Sequence, residues 1–214
     1  MADIWVKVLE PADSYALLTL DELKGILNIS ESDTSEDEQL NMWIDQYSDV
    51  IATMCNRVFA KEKVAETWRG DTMPFDCPRL FLTHYPVADA DIETVESPRG
   101  ALVDPSRYEI ENGSGKMRIE GAWSEPVTVT YTGGYDLPDE APDALKTAAG
   151  LLIQAARIQA RLNATSGIKS ISHRESRVMF FDVQQMTGAT GNGPLAEAAS
   201  TVNALLYKYM RFYV

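Results

Sequence analysis

The residues best suited to chemistry are few and scattered. The chain has two histidines, His84 and His173, and two cysteines, Cys55 and Cys77. A zinc site needs such ligands at short, regular spacing, as in a histidine pair four residues apart or a C-x-x-C pair. Neither histidine has that neighbour. His84 precedes "YP" at a predicted strand end, and His173 sits in "SHRES". Both read as packing or surface residues. A serine nucleophile calls for a G-x-S-x-G elbow, which is absent. "GSGK" at 113–116 lacks P-loop spacing and falls in a predicted hairpin turn. "GATGNG" at 188–193 has no strand leading directly into it, as a dinucleotide loop requires. Carboxylates cluster at helix starts and turns, where solvation and the helix dipole account for them. The acidic run before the second helix lacks the glycine and oxygen-ligand spacing of a calcium loop. The expectation is a protein with no catalytic residue, no metal and no cofactor.

Composition narrows the classes further. The 214 residues carry a formal net charge of −13, and 45% are apolar. Such a surface repels phosphate, which argues against affinity for nucleic acid, although it suits a surface that DNA must slide past. The bases Arg57, Lys61, Arg69, Arg79, Arg107, Arg157 and Arg161 are dispersed and read as solvated charges. The start, "MADIWVKVLEPA", has no basic n-region and reads as neither a signal peptide nor a membrane anchor. Both cysteines read as reduced thiols of an intracellular product.

The elements that would position any site are easier to read. "IWVKVLEP" suggests a short strand. A helix is predicted over 19–28, where Thr19 and Glu22 have capping-box spacing and Leu20, Leu23 and Leu27 share a face. A second is predicted over 35–59, capped by Ser35 with Glu38 and striped by Leu40, Trp43, Ile44, Tyr47, Ile51, Met54 and Val58. Between 62 and 132 the helical period disappears. "VAETWRG", "RLFLTHYPV" and "VTVTYT" alternate as strands, and "YEIENGSGKMRIE" reads as a hairpin. A third helix is predicted over 142–162, with Pro142 at its first position and a narrow stripe of Lys146, Gly150, Gln154, Arg157 and Arg161. Residues 163–193 read as an irregular arm, and a fourth helix runs over 194–213. The fold class expected is α+β: four main helices with an antiparallel sheet inserted between the second and third. It is read as one domain, 1–214, made of a helix pair (19–59), a β-rich insertion (62–132) and a helical C-terminal part (142–214).

Two places stand out as working surfaces. The C-terminal helix ends in Leu206, Tyr207, Tyr209, Met210, Arg211, Phe212 and Tyr213, and Tyr, Met and Arg are typical of interface centres. This set is expected to face a partner. The corner from Tyr131 through Gly133, Gly134 and Tyr135 to Pro138 and Pro142 is expected to be structural. Its glycines permit unusual backbone and its prolines stiffen the exit into the third helix.

The order of these pieces resembles the head–tail connector, or adaptor, proteins of tailed bacteriophages, with the nearest likeness to the gp6-like connectors. The likeness rests on the helix pair ending in "NRVF", on "RLFLTHYPV", and on the corner. There Val129, Tyr131, Gly134 and Tyr135 match a V-x-Y-x-x-G-Y strand end, which leads through Pro138 and Pro142 into an L-K-x-A helix at Leu145, Lys146 and Ala148. The resemblance implies a virion protein made in the host bacterial cytoplasm. It implies a ring, typically dodecameric, beneath the portal protein, with a stopper or tail protein docked below. DNA would pass through the lumen without specific binding, the C-terminal helix would dock on the portal, and no membrane would be involved. Other neck components, namely a head-completion, stopper or tail-terminator protein, share much of this pattern. A small phage-encoded enzyme or DNA-processing factor would instead show a clustered constellation of His, Asp or Glu.

Overall fold

A computed structural model describes residues 3–69, 79–165 and 194–211. In chain order the elements are β1 (Asp3–Glu10), α1 (Leu20–Leu27), α2 (Asp37–Cys55), β2 (Glu62–Arg69), β3 (Arg79–Phe81), β4 (Ile92–Glu96), β5 (Tyr108–Glu111), β6 (Lys116–Ile119), β7 (Val127–Gly133), α3 (Asp143–Thr165) and α4 (Pro194–Leu206). The fold is α+β, as the residue patterns indicate. The chain divides into two compact units. One comprises Met1–Tyr15, Ala52–Ala141 and Met210–Val214; the other comprises Ala16–Ile51 and Pro142–Tyr209. The division cuts across the three consecutive segments expected from the sequence.

The first unit is built from two antiparallel sheets, ordered β1-β2-β7-β4 and β3-β6-β5. Alternation sets the register: Val64 lies opposite Tyr131, Glu66 opposite Val129 and Trp68 opposite Val127. Of these, all but Glu66 join Leu80, Leu82, Val87, Val95, Met117, Ile119 and Trp123 in one apolar core. The hairpin pairs as expected, Ile110 with Met117 and Tyr108 with Ile119, around a turn at 112–115 that holds the first three residues of "GSGK", whose lysine opens β6. The sheet is not purely an insertion after the second helix, because β1 precedes all the helices and pairs with β2. In "RLFLTHYPV" only Arg79–Phe81 is strand. The chain then leaves the sheet but stays inside, with Leu82, His84 and Val87 buried.

The second unit packs α1, most of α2, α3 and α4. Thr19 caps α1 with the reciprocal box: its hydroxyl accepts from Glu22 N–H at 3.2 Å and its own N–H donates to the Glu22 carboxylate at 2.9 Å. The second capping box does not form. Ser35 turns back on Asp33 through both its N–H and its hydroxyl, and α2 starts at Asp37. The helix stops at Cys55, four residues short of expectation, because Asn56 adopts the left-handed region (φ 52°) and Arg57 N–H closes on the Ala52 carbonyl. Along α2, Leu40, Ile44, Tyr47 and Ile51 are buried as the stripe predicts, and the Ser48 hydroxyl accepts from Leu17 N–H.

Helix α3 is buried through Leu145, Ala148, Ala149, Leu152, Ile153 and Ala155. Two members of its polar stripe are paired: Lys146 with Glu22 at 2.6 Å and Arg157 with Glu36 at 2.7 Å. A third, Gly150, faces Ile26 of α1, whose Cδ1 would lie 2.8 Å from an added Cβ. That atom is the free end of a half-exposed side chain and can turn away. Gly150→Ala should therefore gain up to about 1 kcal/mol from helix propensity, whereas Gly150→Leu should destabilise by overpacking. Chemical denaturation of the two variants checks the pair; equal losses in both would contradict it.

Candidate functional site

The first unit holds a buried polar cluster that begins on β2. Four side chains of that strand point inward, and two of them are acids: Glu62, Val64, Glu66 and Trp68. A buried carboxylate is costly unless it is hydrogen-bonded. On Glu66, Oε2 accepts from the Tyr131 hydroxyl at 2.6 Å and from Thr83 N–H at 3.1 Å. The Tyr131 oxygen in turn accepts from His84 N–H at 3.0 Å. On Glu62, Oε2 lies 3.0 Å from His84 Nε2, and Oε1 accepts from the Tyr15 hydroxyl.

Burial pushes the His84 pKa below its usual value, so the ring is neutral near pH 7. One tautomer satisfies both nitrogens. Nε2–H donates to Glu62, and Nδ1 accepts from the Thr83 hydroxyl at 2.9 Å, the alternative for that single proton being Glu66 Oε2 at 3.2 Å. Burial also raises the Glu66 carboxyl above its ordinary 4.5, opposed by its hydrogen bonds to Tyr131 and Thr83 and by the charge of Arg211. Among the described residues its Oε1 has no hydrogen-bond partner. The chemistry of the cluster is internal. Glu62, Glu66, His84 and Tyr131 are all buried, and their bonds join β2, β7 and the segment after β3.

A second buried charge lies beside it. Arg57, at the end of α2, donates to the Tyr85 carbonyl and stacks on the rings of Tyr85 (3.4 Å) and Phe59 (4.7 Å). Burial pulls its pKa down, and among the described residues no carboxylate pairs with it. Arg57 is thus a packed cation, not a solvated one. Cys55 nearby is buried and free, its thiol pushed up to about 11 by burial; Cys77, His173 and "GATGNG" lie outside the described residues.

The corner supports this cluster. Tyr131 belongs to the cluster itself. At Gly133 the limit is space, since a Cβ would meet the His84 carbonyl oxygen at 2.5 Å and the Val87 side chain. Gly134 needs its glycine twice over, for φ +114° and for contact with the Ala60 carbonyl. Gly134 N–H donates to the Pro86 carbonyl, Tyr135 N–H to that of Phe59, and Lys61 N–H to that of Tyr135. The strand end is therefore clamped between residues 59–61 and 84–87. Pro138 accepts from Ala141 N–H. Pro142 sits at the cap of α3, one residue earlier than expected, and its carbonyl accepts from Leu145 and Lys146 N–H.

The C-terminal set is split. The helix does not run to 213: α4 ends at Leu206, followed by a 3-10 turn at Tyr207–Tyr209. Leu206 is fully buried and packs in its own unit, which removes it from the expected partner face. Tyr207 is 70% exposed, whereas Tyr209, Met210 and Arg211 are half-buried. Arg211 is tied down, its N–H donating to the Cys55 carbonyl and its guanidinium to that of Phe81. Phe212 and Tyr213 lie outside the described residues. Among the described residues, no cluster of His, Cys, Asp and Glu could hold a metal ion, and no helix is long and apolar enough to cross a membrane.

No protein-family model matches the chain, and no curated protein matches its sequence. Its shape does find relatives among solved structures. A chain in the neck of an empty GTA particle, computed with C6 symmetry, matches with a TM-score of 0.54 and 15% identity, covering 98% of this chain and 97% of that one. The fold is similar to that of a particle-neck protein. A chain from the virion of a native gene transfer agent (GTA) particle matches at 0.52 with 14% identity, covering 98% and 96%. A chain in the neck of the native particle, computed with C12 symmetry, matches at 0.51 with 13% identity, covering 98% and 97%.

The titrating members of the cluster give opposite pH responses. The folded pKa of His84 lies below its ordinary 6.5, so its contribution is complete above that value and is lost as pH falls beneath it. The folded pKa of Glu66 lies above its ordinary 4.5, so stability falls as pH rises through the raised value. Glu66→Gln should therefore gain melting temperature relative to the wild type as pH rises from 4.5 toward neutral. A constant difference across that range would contradict the assignment. Gly134→Ala should cost about 1–3 kcal/mol in urea unfolding from backbone strain alone; an unchanged midpoint would show that the clamp relaxes freely.

Proposed function

We propose that this chain is a structural head–tail adaptor of a tailed-phage-like particle, with no catalytic activity. Copies form a ring beneath the portal protein, extend the DNA channel and present a platform to the next neck or tail protein. The observation that carries the reading is the fold likeness to neck chains over nearly their whole length. The symmetries of those particles, C6 and C12, support a ring, with twelve copies as the proposed number. The net charge of −13 suits a protein around a DNA conduit, because a basic lumen would hold the genome back. The reactive-looking side chains serve the interior of the first unit, which favours a scaffold over an enzyme. In this role Tyr207, more exposed than Tyr209, reaches the portal, together with Phe212 and Tyr213.

Mixing the purified chain with the particle's portal ring tests the reading. Stoichiometric binding, seen as an added ring by negative-stain microscopy, is the expected result; no association at micromolar concentration would contradict it. Tyr207→Asp should weaken that binding at least about tenfold without changing the melting temperature, since Tyr207 is exposed. Unaltered binding would remove the C-terminal turn from the portal contact.

A further inference from the structure

Strand β1 departs from the pattern of the rest of its sheet. It is an outer strand, and among the described residues its far edge is unpaired. Pairing with β2 sets Val6 and Val8 on the face that carries Glu66 and Val64 and Trp5 on the other, while Leu9 lies at an irregularity between Val8 and Glu10. Val6 and Val8 are nonetheless 42% and 45% exposed, Trp5 62% and Leu9 42%. Ile4, at the start of β1, packs against the core, but beyond it Val6 and Val8 stand half-exposed, and among the described residues the outer edge is open. A long, apolar, open edge strand is a template for pairing with another chain.

The opposite edge of the same sheet is also open. Residues 101–103 add a short bridge to β4, with Val103 N–H donating to the Val95 carbonyl and Ser97 N–H to that of Ala101. Leu102, between them, is 72% exposed. One sheet thus presents two different apolar edges on opposite sides, the arrangement that lets identical copies join head to tail and close into a ring.

We infer that β1 of one copy pairs antiparallel with the 101–103 edge of the next, continuing the sheet around the ring. This deepens the ring reading above and rests on it. Charge favours that partner and direction. With Leu9 opposite Leu102, Lys7 falls opposite Asp104, and Glu10 comes within diagonal reach of Arg99. Lys7 and Arg99 have no ion-pair partner among the described residues. The parallel arrangement would bring Lys7 toward Arg99. Two β1 strands paired with each other about Val6 and Lys7 would set Asp3 against Glu10.

The test uses the full chain with Cys77→Ser and a short bismaleimide cross-linker. Leu9→Cys with Leu102→Cys should give a covalent ladder beyond the dimer, and neither single substitution should. Adding Val8→Lys should reduce the ladder at least about tenfold while circular dichroism shows an unchanged fold. A dimer from Leu9→Cys alone would mean β1–β1 pairing and overturn the inference. Rings in negative stain without the Leu9–Leu102 link would overturn it and leave the adaptor reading standing. A monomer at every concentration would overturn it as well, while portal binding would still judge the adaptor reading separately.

Discussion

Two glutamates on one strand govern the first unit. An interior strand that carries Glu62 and Glu66 between Val64 and Trp68 can fold only if the rest of the unit brings donors to them. Thr83, His84, Tyr131 and Tyr15 are those donors, and they come from three distant parts of the chain. The requirement explains why the segment after β3 leaves the sheet yet remains buried. It also explains the glycine pair: the His84 carbonyl can lie against β7 only where residue 133 has no side chain.

The same requirement reaches the C-terminus. Arg211 lies near enough to Glu66 to favour its ionised form, and it is fixed by the carbonyls of Cys55 and Phe81. The end of the described chain is therefore part of the first unit rather than a loose tail. An assembly surface placed there is preorganised, because a partner need not order Arg211 on binding. The open edge of β1 follows a different logic. Beyond Ile4 its apolar side chains stand half-exposed, and the proposed neighbour in the ring would cover them.

Much of this was legible in the residues. Thr19 and Glu22 marked α1, the period of Leu40, Ile44, Tyr47 and Ile51 marked α2, and "NGSG" marked the hairpin, because each is a local signal. The end of α2 was missed because asparagine in the left-handed region does the work expected of glycine. The second capping box failed because Ser35 had a nearer partner in Asp33. The polar cluster was missed for a different reason. Glu62 and Glu66 share the inward parity of Val64 and Trp68, so the signal was present, but the partners of His84 come from strands that only the fold brings together. Gly133 likewise looked like a turn residue and proved to be a point of close approach.

The central claim is that this chain builds one ring of a particle neck. Cryo-electron microscopy of particles from cells expressing the chain, with an epitope tag on it, tests that claim most directly. The account predicts labelled density of this fold in a single symmetric ring directly below the portal. Label elsewhere in the particle, or particles that carry none, would contradict it.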